Sequence, residues 1–296
     1  LQNSRANALG LIIPLQLHRT YDAFWLEFIG GMAAVCAGRH VDLLVSAADD
    51  AVDEPAGSTP GFRRIARGSR VDGMLLCDVR RTDGRIAYLR KQNLPFVAFG
   101  RTAGDHDYAY IDVDGAAGAS QAIEHLLRLG HRRIGFLGVD ADFGFSHYRL
   151  AGYRQALARA GIVAQPAYIR QDLTDLTAVD AARELLTHDD SPTAIFATAD
   201  FLALAALRAA REAGLAVPRD LSICVFDDSP LVQHADPPVT TVSQPNRRLG
   251  EEAATLLLDR IENPAAPLIQ RLVIPTLIVR QSTAPSVRDE RAVKAV

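Results

Sequence analysis

Short runs of consecutive apolar residues recur along this chain, and segments of helical length separate them. The first four runs are LGLIIP (9–14), VDLLVS (41–46), GMLLCD (73–78) and PFVAFG (95–100). In each, apolar side chains fill neighbouring positions rather than every second one. A strand buried on both faces reads this way, and such strands belong to parallel sheets covered by helices. Helix-sized stretches such as AFWLEFIGGMAAVCAG lie between the first three runs. The rhythm resumes with RRIGFLGV (132–139), AYIRQ (167–171), TAIFATAD (193–200) and LSICVFDD (221–228). The helices of this half are GASQAIEHLLRLG, YRLAGYRQALARAG, AVDAARELLTHD and FLALAALRAAREAG. Gly130, Gly161 and Gly214 stand where left-handed helix C-caps are expected.

Two rounds of strand and helix predict an α/β fold of two similar Rossmann-like, doubly wound lobes with a ligand cleft between them. An eight-stranded (β/α) barrel fits the strand count almost as well, and the pattern alone leaves it open. The end of the chain weighs against the barrel. After TTVSQP come a helix, RRLGEEAATLLLDRIE, the linker NPAAP and one more strand, RLVIPTLIVR. This extra unit supplies one element to each lobe if the chain crosses between them more than once. The expected division is an N-terminal lobe of residues 1–112 completed by 245–268, and a C-terminal lobe of 113–242 completed by 271–282. Residues 283–296 form a polar tail expected to fray.

Composition narrows the class. The chain has 296 residues, 48% of them hydrophobic, enough for a large core. Its 32 Lys and Arg against 35 Asp and Glu give a net charge of −3, which supplies no basic surface for gripping nucleic-acid phosphates. The three cysteines, Cys36, Cys77 and Cys224, lie far apart inside or beside apolar runs. They read as buried small hydrophobes, with neither disulfide nor zinc spacing, as a reducing cytosol favours. No signal peptide or membrane-spanning segment is legible. The chain opens on LQNSRANALG without an initiator Met, and reads as a piece of something longer.

Candidate chemistry collects behind the strands. In open parallel sheets ligands bind beyond the strands' carboxyl ends, where strand order reverses. The polar residues just past the strand ends are Ser46, Asp49 and Asp50; Asp78; Arg101 after Gly100; Asp140 through Arg149; Asp172; Asp200; and Asp227 with Asp228. Such a rim suits a ligand with many hydroxyls, since hydrogen bonds to charged groups are strong and oriented. Tyr21, Phe24, Phe143 and Phe145 flank it with aromatic faces or serve as loop anchors. Asp228 is expected to cap the turn begun by Ser229-Pro230. Ser146 next to His147 lacks the nucleophile elbow, His106 and His188-Asp189-Asp190 lack metal-ligand spacing, and VDGAAGA is no dinucleotide fingerprint. The expectation is therefore a binding protein, not an enzyme, without cofactor or metal.

Seven strings, in order, resemble the effector-binding region of LacI/GalR-type bacterial transcription regulators and, through them, the type I periplasmic-binding-protein fold. They are VDGMLL, LPFVAFGR, DVDGAAGASQAIEHLLRLGHRRIGFLG, SHYRLAGYRQAL, SPTAIFATADFLALAAL, VPRDLSICVFDDSPL and PPVTTVSQPNRRLGEEAATLLL. The resemblance runs from about residue 8 to 282. It implies ligand contacts for Arg149 of the R-x-x-G-[YFW] segment and for Asp227, the first acid of the G-[FY]-D-D motif. It implies the same for Asp200, Gln244, Phe24 and, varying with ligand class, Arg101; Asp78 joins them as a strand-end acid. The chain departs from the pattern at Ala199, where an Asn is usual, at Val225, where a Gly is usual, and at Leu176, where some sugar-responsive members place an aromatic. Phe143 and Phe145 argue against a purine effector. The implied protein is a cytoplasmic homodimer that senses a small molecule, a sugar or polyol, and controls operator DNA through an N-terminal helix-turn-helix absent from this chain. A periplasmic solute-binding protein of an ABC transporter shares the fold and stays open as the alternative.

Overall fold

The computed structural model describes residues 6–14, 23–48, 60–104, 106–187 and 190–286. The chain opens with β1 (Ala8–Pro14), α1 (Ala23–Gly38), β2 (Asp42–Ala48), α2 (Pro60–Arg67), β3 (Gly73–Leu76) and α3 (Gly84–Lys91). Next come β4 (Phe96–Phe99), β5 (Tyr110–Val113), α4 (Gly115–Arg128), β6 (Ile134–Leu137), α5 (Gly144–Arg159) and β7 (Ile169–Arg170). Then come α6 (Ala178–Thr187), β8 (Ala194–Ala197), α7 (Asp200–Glu212), β9 (Ser222–Phe226), α8 (Pro230–Gln233) and β10 (Thr240–Ser243). The last elements are α9 (Asn246–Glu262), β11 (Gln270–Val273) and β12 (Thr276–Ile278). They form two compact units: Leu1–Val113 with Asp142–Phe145 and Pro245–Val273, and Asp114–Ala141 with Ser146–Gln244 and Ile274–Val296.

The first unit is built on a six-stranded parallel sheet in the order β11-β5-β4-β3-β1-β2. The chain leaves β1 for β2 on one side and returns to β3 on the other, so the strand order reverses at β1. Met74, Leu76, Ile86, Leu89, Phe62 and Ile65 pack into one buried cluster on this sheet. Helix α1 buries Phe28, Gly31, Met32 and Cys36, a stripe with helical spacing. Its contact with α9 is backbone against backbone. A Cβ on Gly31 would lie 2.0 Å from the Arg247 carbonyl oxygen, and one on Gly250 would lie 2.0 Å from that of Phe28.

The second unit repeats the plan in the order β12-β10-β9-β8-β6-β7, parallel except for β12, which runs antiparallel to β10. Here strand order reverses at β6. Phe136, Phe196, Phe226 and Tyr153 are fully buried, and the Tyr153 hydroxyl donates to the Ile134 carbonyl at 2.7 Å. Two separate six-stranded sheets exclude the single barrel.

Several expectations need correction. The run RLVIPTLIVR is not one strand but two, β11 in the first sheet and β12 in the second. Pro275, which has no N–H to give a ladder, stands between them. YIDV and TTVS are strands that the apolar pattern did not mark, whereas only Ile169 and Arg170 of AYIRQ pair. Residues 142–145 pack with the first unit rather than the second. The Gly144 N–H donates to Val79 O at 2.8 Å and the Arg81 N–H to Asp142 O at 2.7 Å. Residues 283–286 do not fray. The Ala284 N–H donates to the Ser222 hydroxyl at 3.0 Å and the Ser286 N–H to Leu129 O at 2.8 Å, with Ser286 buried.

Candidate ligand-binding site

In the second unit, the groups at the strands' carboxyl ends converge around one carboxylate. Strand β9 ends at Phe226, and Asp227 turns out of the sheet with φ of +82°. Asp tolerates this left-handed region better than most residues, at a cost of order 1–3 kcal/mol that the surroundings must offset. They do so with three bonds. The Asp227 N–H donates to Val242 O at 3.0 Å, the Thr241 hydroxyl donates to Asp227 O, and the Gln244 side-chain amide donates to Asp227 Oδ1 at 2.5 Å. Gln244 lies just past β10, the neighbouring strand, so parallel pairing of β9 with β10 is what aligns the two side chains.

Arg149 completes the cluster from α5, the helix after β6. Its guanidinium donates to Thr198 O, just past β8, at 2.5 Å and lies 3.6 Å from Asp227 Oδ2. It also covers the Phe226 ring, with Cζ 3.6 Å from the centroid. A planar cation held between a backbone carbonyl, a carboxylate and a ring face is fixed in orientation. Arg149 is 6% exposed. β6 and β8 are paired neighbours whose connections leave in opposite directions, which makes their carboxyl ends, where Arg149 meets Thr198 O, the switch point of this sheet.

Around this cluster the rim is acidic. Asp172 has φ of +57° and its carboxylate accepts the Ala141 N–H at 2.9 Å, tying together the loops after β6 and β7. Asp200 stands in the first turn of α7, half-buried, while Ala199 is the cap residue and makes no side-chain cap. Asp228 is not the expected cap. It pairs with Arg280 at 2.7 Å, and Ser229 occupies the cap position of α8.

The strand ends of the first unit differ in character. Phe24, near the start of α1, stacks on Phe28 and on Phe99 at the end of β4, with centroids 5.2 Å and 5.4 Å apart. Beyond Phe99, Arg101 Nε donates to Asp112 Oδ2 at 2.7 Å and its guanidinium sits 6.0 Å from the Tyr110 ring. Asp78 lies just past β3 with φ of +49°, and its carbonyl accepts from Arg85 at 3.0 Å. Phe143 and Phe145 stack on each other at 5.3 Å, with Arg80 over the Phe143 ring, so this pair belongs to the first unit. Gly144, between them, approaches so closely that a Cβ there would be 2.0 Å from Arg101 O.

The structure thus brings Arg149, Asp227 and Gln244 together and leaves Asp200 apart from their hydrogen bonds. Tyr21, Asp49, Asp50, His188 and Asp189 lie outside the described residues. Sequence reasoning missed Thr198, whose contribution is a carbonyl and therefore invisible in residue type. It also missed Phe226, read only as strand core, and Asp112, whose pairing with Arg101 depends on β4 lying beside β5. The thiol beside Asp78 is no nucleophile: burial first, then the Asp78 charge, pushes Cys77 well above the usual range. The Ser146 hydroxyl is spent on Val139 O at 3.2 Å. Among the described residues, no three His, Cys, Asp or Glu side chains are grouped to hold a metal ion.

Residues 123–283 match the family described as the periplasmic binding protein-like domain. The chain is 39% identical over 219 residues to the HTH-type transcriptional regulator CelR of Thermobifida fusca, an alignment covering 73% of this chain and 64% of that protein. It is 36% identical over 263 residues to the HTH-type transcriptional repressor CytR of Escherichia coli (strain K12), covering 88% and 76% respectively. Among solved structures, a transcriptional regulator CelR–cellobiose complex superposes with a TM-score of 0.85 at 30% identity, over 95% of this chain and 86% of that one. Fold, site and these likenesses agree: the chain belongs to the periplasmic-binding-protein-like family, among the LacI-type transcriptional regulators.

Proposed function

We propose that this chain is the effector-sensing core of a LacI/GalR-type bacterial transcription regulator, and that its effector is a sugar. The observation that carries this reading is the Arg149–Asp227–Gln244 cluster beyond the carboxyl ends of the strands of the second sheet. A guanidinium and a carboxylate held side by side offer donors and acceptors at fixed angles, the pairing that adjacent sugar hydroxyls satisfy. The relatives named as HTH-type regulators support a regulatory role over transport, and the CelR–cellobiose complex supports a carbohydrate.

In the whole protein, an N-terminal helix-turn-helix segment would read operator DNA as part of a cytoplasmic homodimer. Effector binding acts on it by favouring one conformation over another, since a ligand shifts an equilibrium only by its differential affinity. Couplings of about 1–3 kcal/mol, or roughly 5- to 150-fold in operator affinity, are typical. Among the described residues no helix is long and apolar enough to cross a membrane.

A thermal-shift screen against mono- and disaccharides, polyols and nucleosides tests the ligand class. At a hundred times its Kd a ligand stabilises by about 2.7 kcal/mol, a rise in Tm of roughly 5–11 °C for a unit of this size. A sugar that produces this shift supports the reading. A nucleoside doing so in place of every sugar overturns the ligand class.

A further inference from the structure

Asp227 is anchored on one side by its strand and on the other by its neighbour. Its N–H still bonds across to β10, at Val242 O. Beyond that point the chain leaves the sheet, runs through α8 and comes back at β10. Asp228 is where this connection is fastened. Arg280, two residues past β12, places Nη2 2.7 Å from Asp228 Oδ1 and donates from it to Oδ2 at 3.0 Å. Its other terminal nitrogen, Nη1, donates to Val239 O at 2.9 Å. One guanidinium thus ties the 227–239 connection near its start and at its end. The Gln233 side-chain amide adds a bond to Asp228 O at 2.9 Å. Arg280 is itself seated, its N–H donating to the Thr240 hydroxyl at 3.0 Å. All these groups belong to the second unit.

The ion pair is shielded, with side chains 19% and 12% exposed. Attraction between such charges is largely offset by the cost of taking them out of water, so the pair adds little net stability and chiefly fixes geometry. What it fixes adjoins a residue in the left-handed region, Asp227 with φ of +82°. A backbone in that region persists only where its surroundings hold it. Val242 O and the Thr241 hydroxyl bond to Asp227 itself, and the clamp on Asp228 keeps the following residue from swinging away. With the clamp open, relaxation of φ turns the carboxylate from the Gln244 amide and the Arg149 guanidinium.

We propose that Arg280, acting through Asp228, is a positioning residue of the ligand site: it holds the Asp227 carboxylate in the orientation that Gln244 and Arg149 meet. The proposal rests on the function above insofar as Asp227 is a ligand contact.

The test replaces both partners, Arg280→Met with Asp228→Ala, so that no lone charge is left behind. The ligand-free readout is the Gln244 side-chain amide in proton–nitrogen correlation spectra, assigned with Gln244→Ala, because that amide donates to Asp227 Oδ1. In the double variant its signals should move toward their positions in Asp227→Ala, with Tm within about 4 °C of wild type. Asp228→Asn, which keeps the side chain's shape, should move them the same way by less. Should the double variant fail to fold, Asp228→Asn carries the test, and unmoved Gln244 signals in it overturn the proposal. Calorimetry with cellobiose and ribose reads the consequence. The double variant should bind whichever of these the wild type takes about tenfold more weakly. In an Asp227→Asn background the same replacement should change affinity less than about twofold, because the clamp acts through that carboxylate. A purely structural pair would lower Tm and leave the Gln244 signals in place, or lower affinity equally in both backgrounds; either result overturns the proposal. If the wild type binds neither sugar, that failure belongs to the ligand reading, and the Gln244 signals alone decide the role of Arg280.

Discussion

Asp227 is held by both its backbone and its side chain. Its backbone sits in a costly conformation, and its carboxylate meets both the Gln244 amide and the Arg149 guanidinium. Asp227→Asn should therefore weaken sugar binding by about tenfold or more while the domain stays folded, as calorimetry and circular dichroism would show. Arg149→Ala should do more damage. It removes a buried cation from Phe226 and leaves a half-shielded carboxylate behind, for a loss on the order of 2–4 kcal/mol in urea unfolding. The thiols behave differently. Burial pushes Cys224 up to about 12, so at a pH of about 8 almost none of it is thiolate. Ellman's reagent at that pH should leave Cys77 and Cys224 unmodified in the native chain and label both once urea unfolds it. At this scale the sequence was legible where a motif marks a side chain, as at Arg149 and Asp227. It was silent where the contribution is a carbonyl, as at Thr198, or a partner on the next strand, as at Asp112.

Between α1 and α9 the missing side chains of Gly31 and Gly250 set the distance. Gly250→Ala would place a methyl 2.0 Å from the Phe28 carbonyl oxygen, and helices cannot yield that much without separating. Thermal denaturation should show a loss of about 1–3 kcal/mol, although alanine is the better helix former, because overpacking outweighs propensity here. If Gly250→Ala were neutral or stabilising, the close approach would be wrong. The legibility of the elements obeys the same logic of burial. The central strands read clearly because both faces are covered and nearly every position is apolar, as in GMLL and SICVF. YIDV and TTVS hide because polar side chains interrupt them and bond to adjoining segments, such as Asp112 with Arg101 and Thr241 with Asp227. RLVIPTLIVR misled in the opposite direction: one apolar run, divided by Pro275, serves two sheets.

For the whole molecule, the doubly wound plan appears twice, and each copy places its candidate groups behind the strands. In the second unit these groups form a hydrogen-bonded cluster, and in the first they are aromatic faces beside a neutralised arginine. Such chemistry becomes regulation only if occupancy changes what the full-length protein does to DNA. The direct measurement is operator affinity of the full-length protein with and without the sugar that shifts Tm, for wild type and Asp227→Asn. The account predicts a change of roughly 5- to 150-fold in wild type and little or none in the variant. An operator affinity indifferent to the sugar, or a variant that responds like wild type, would contradict it.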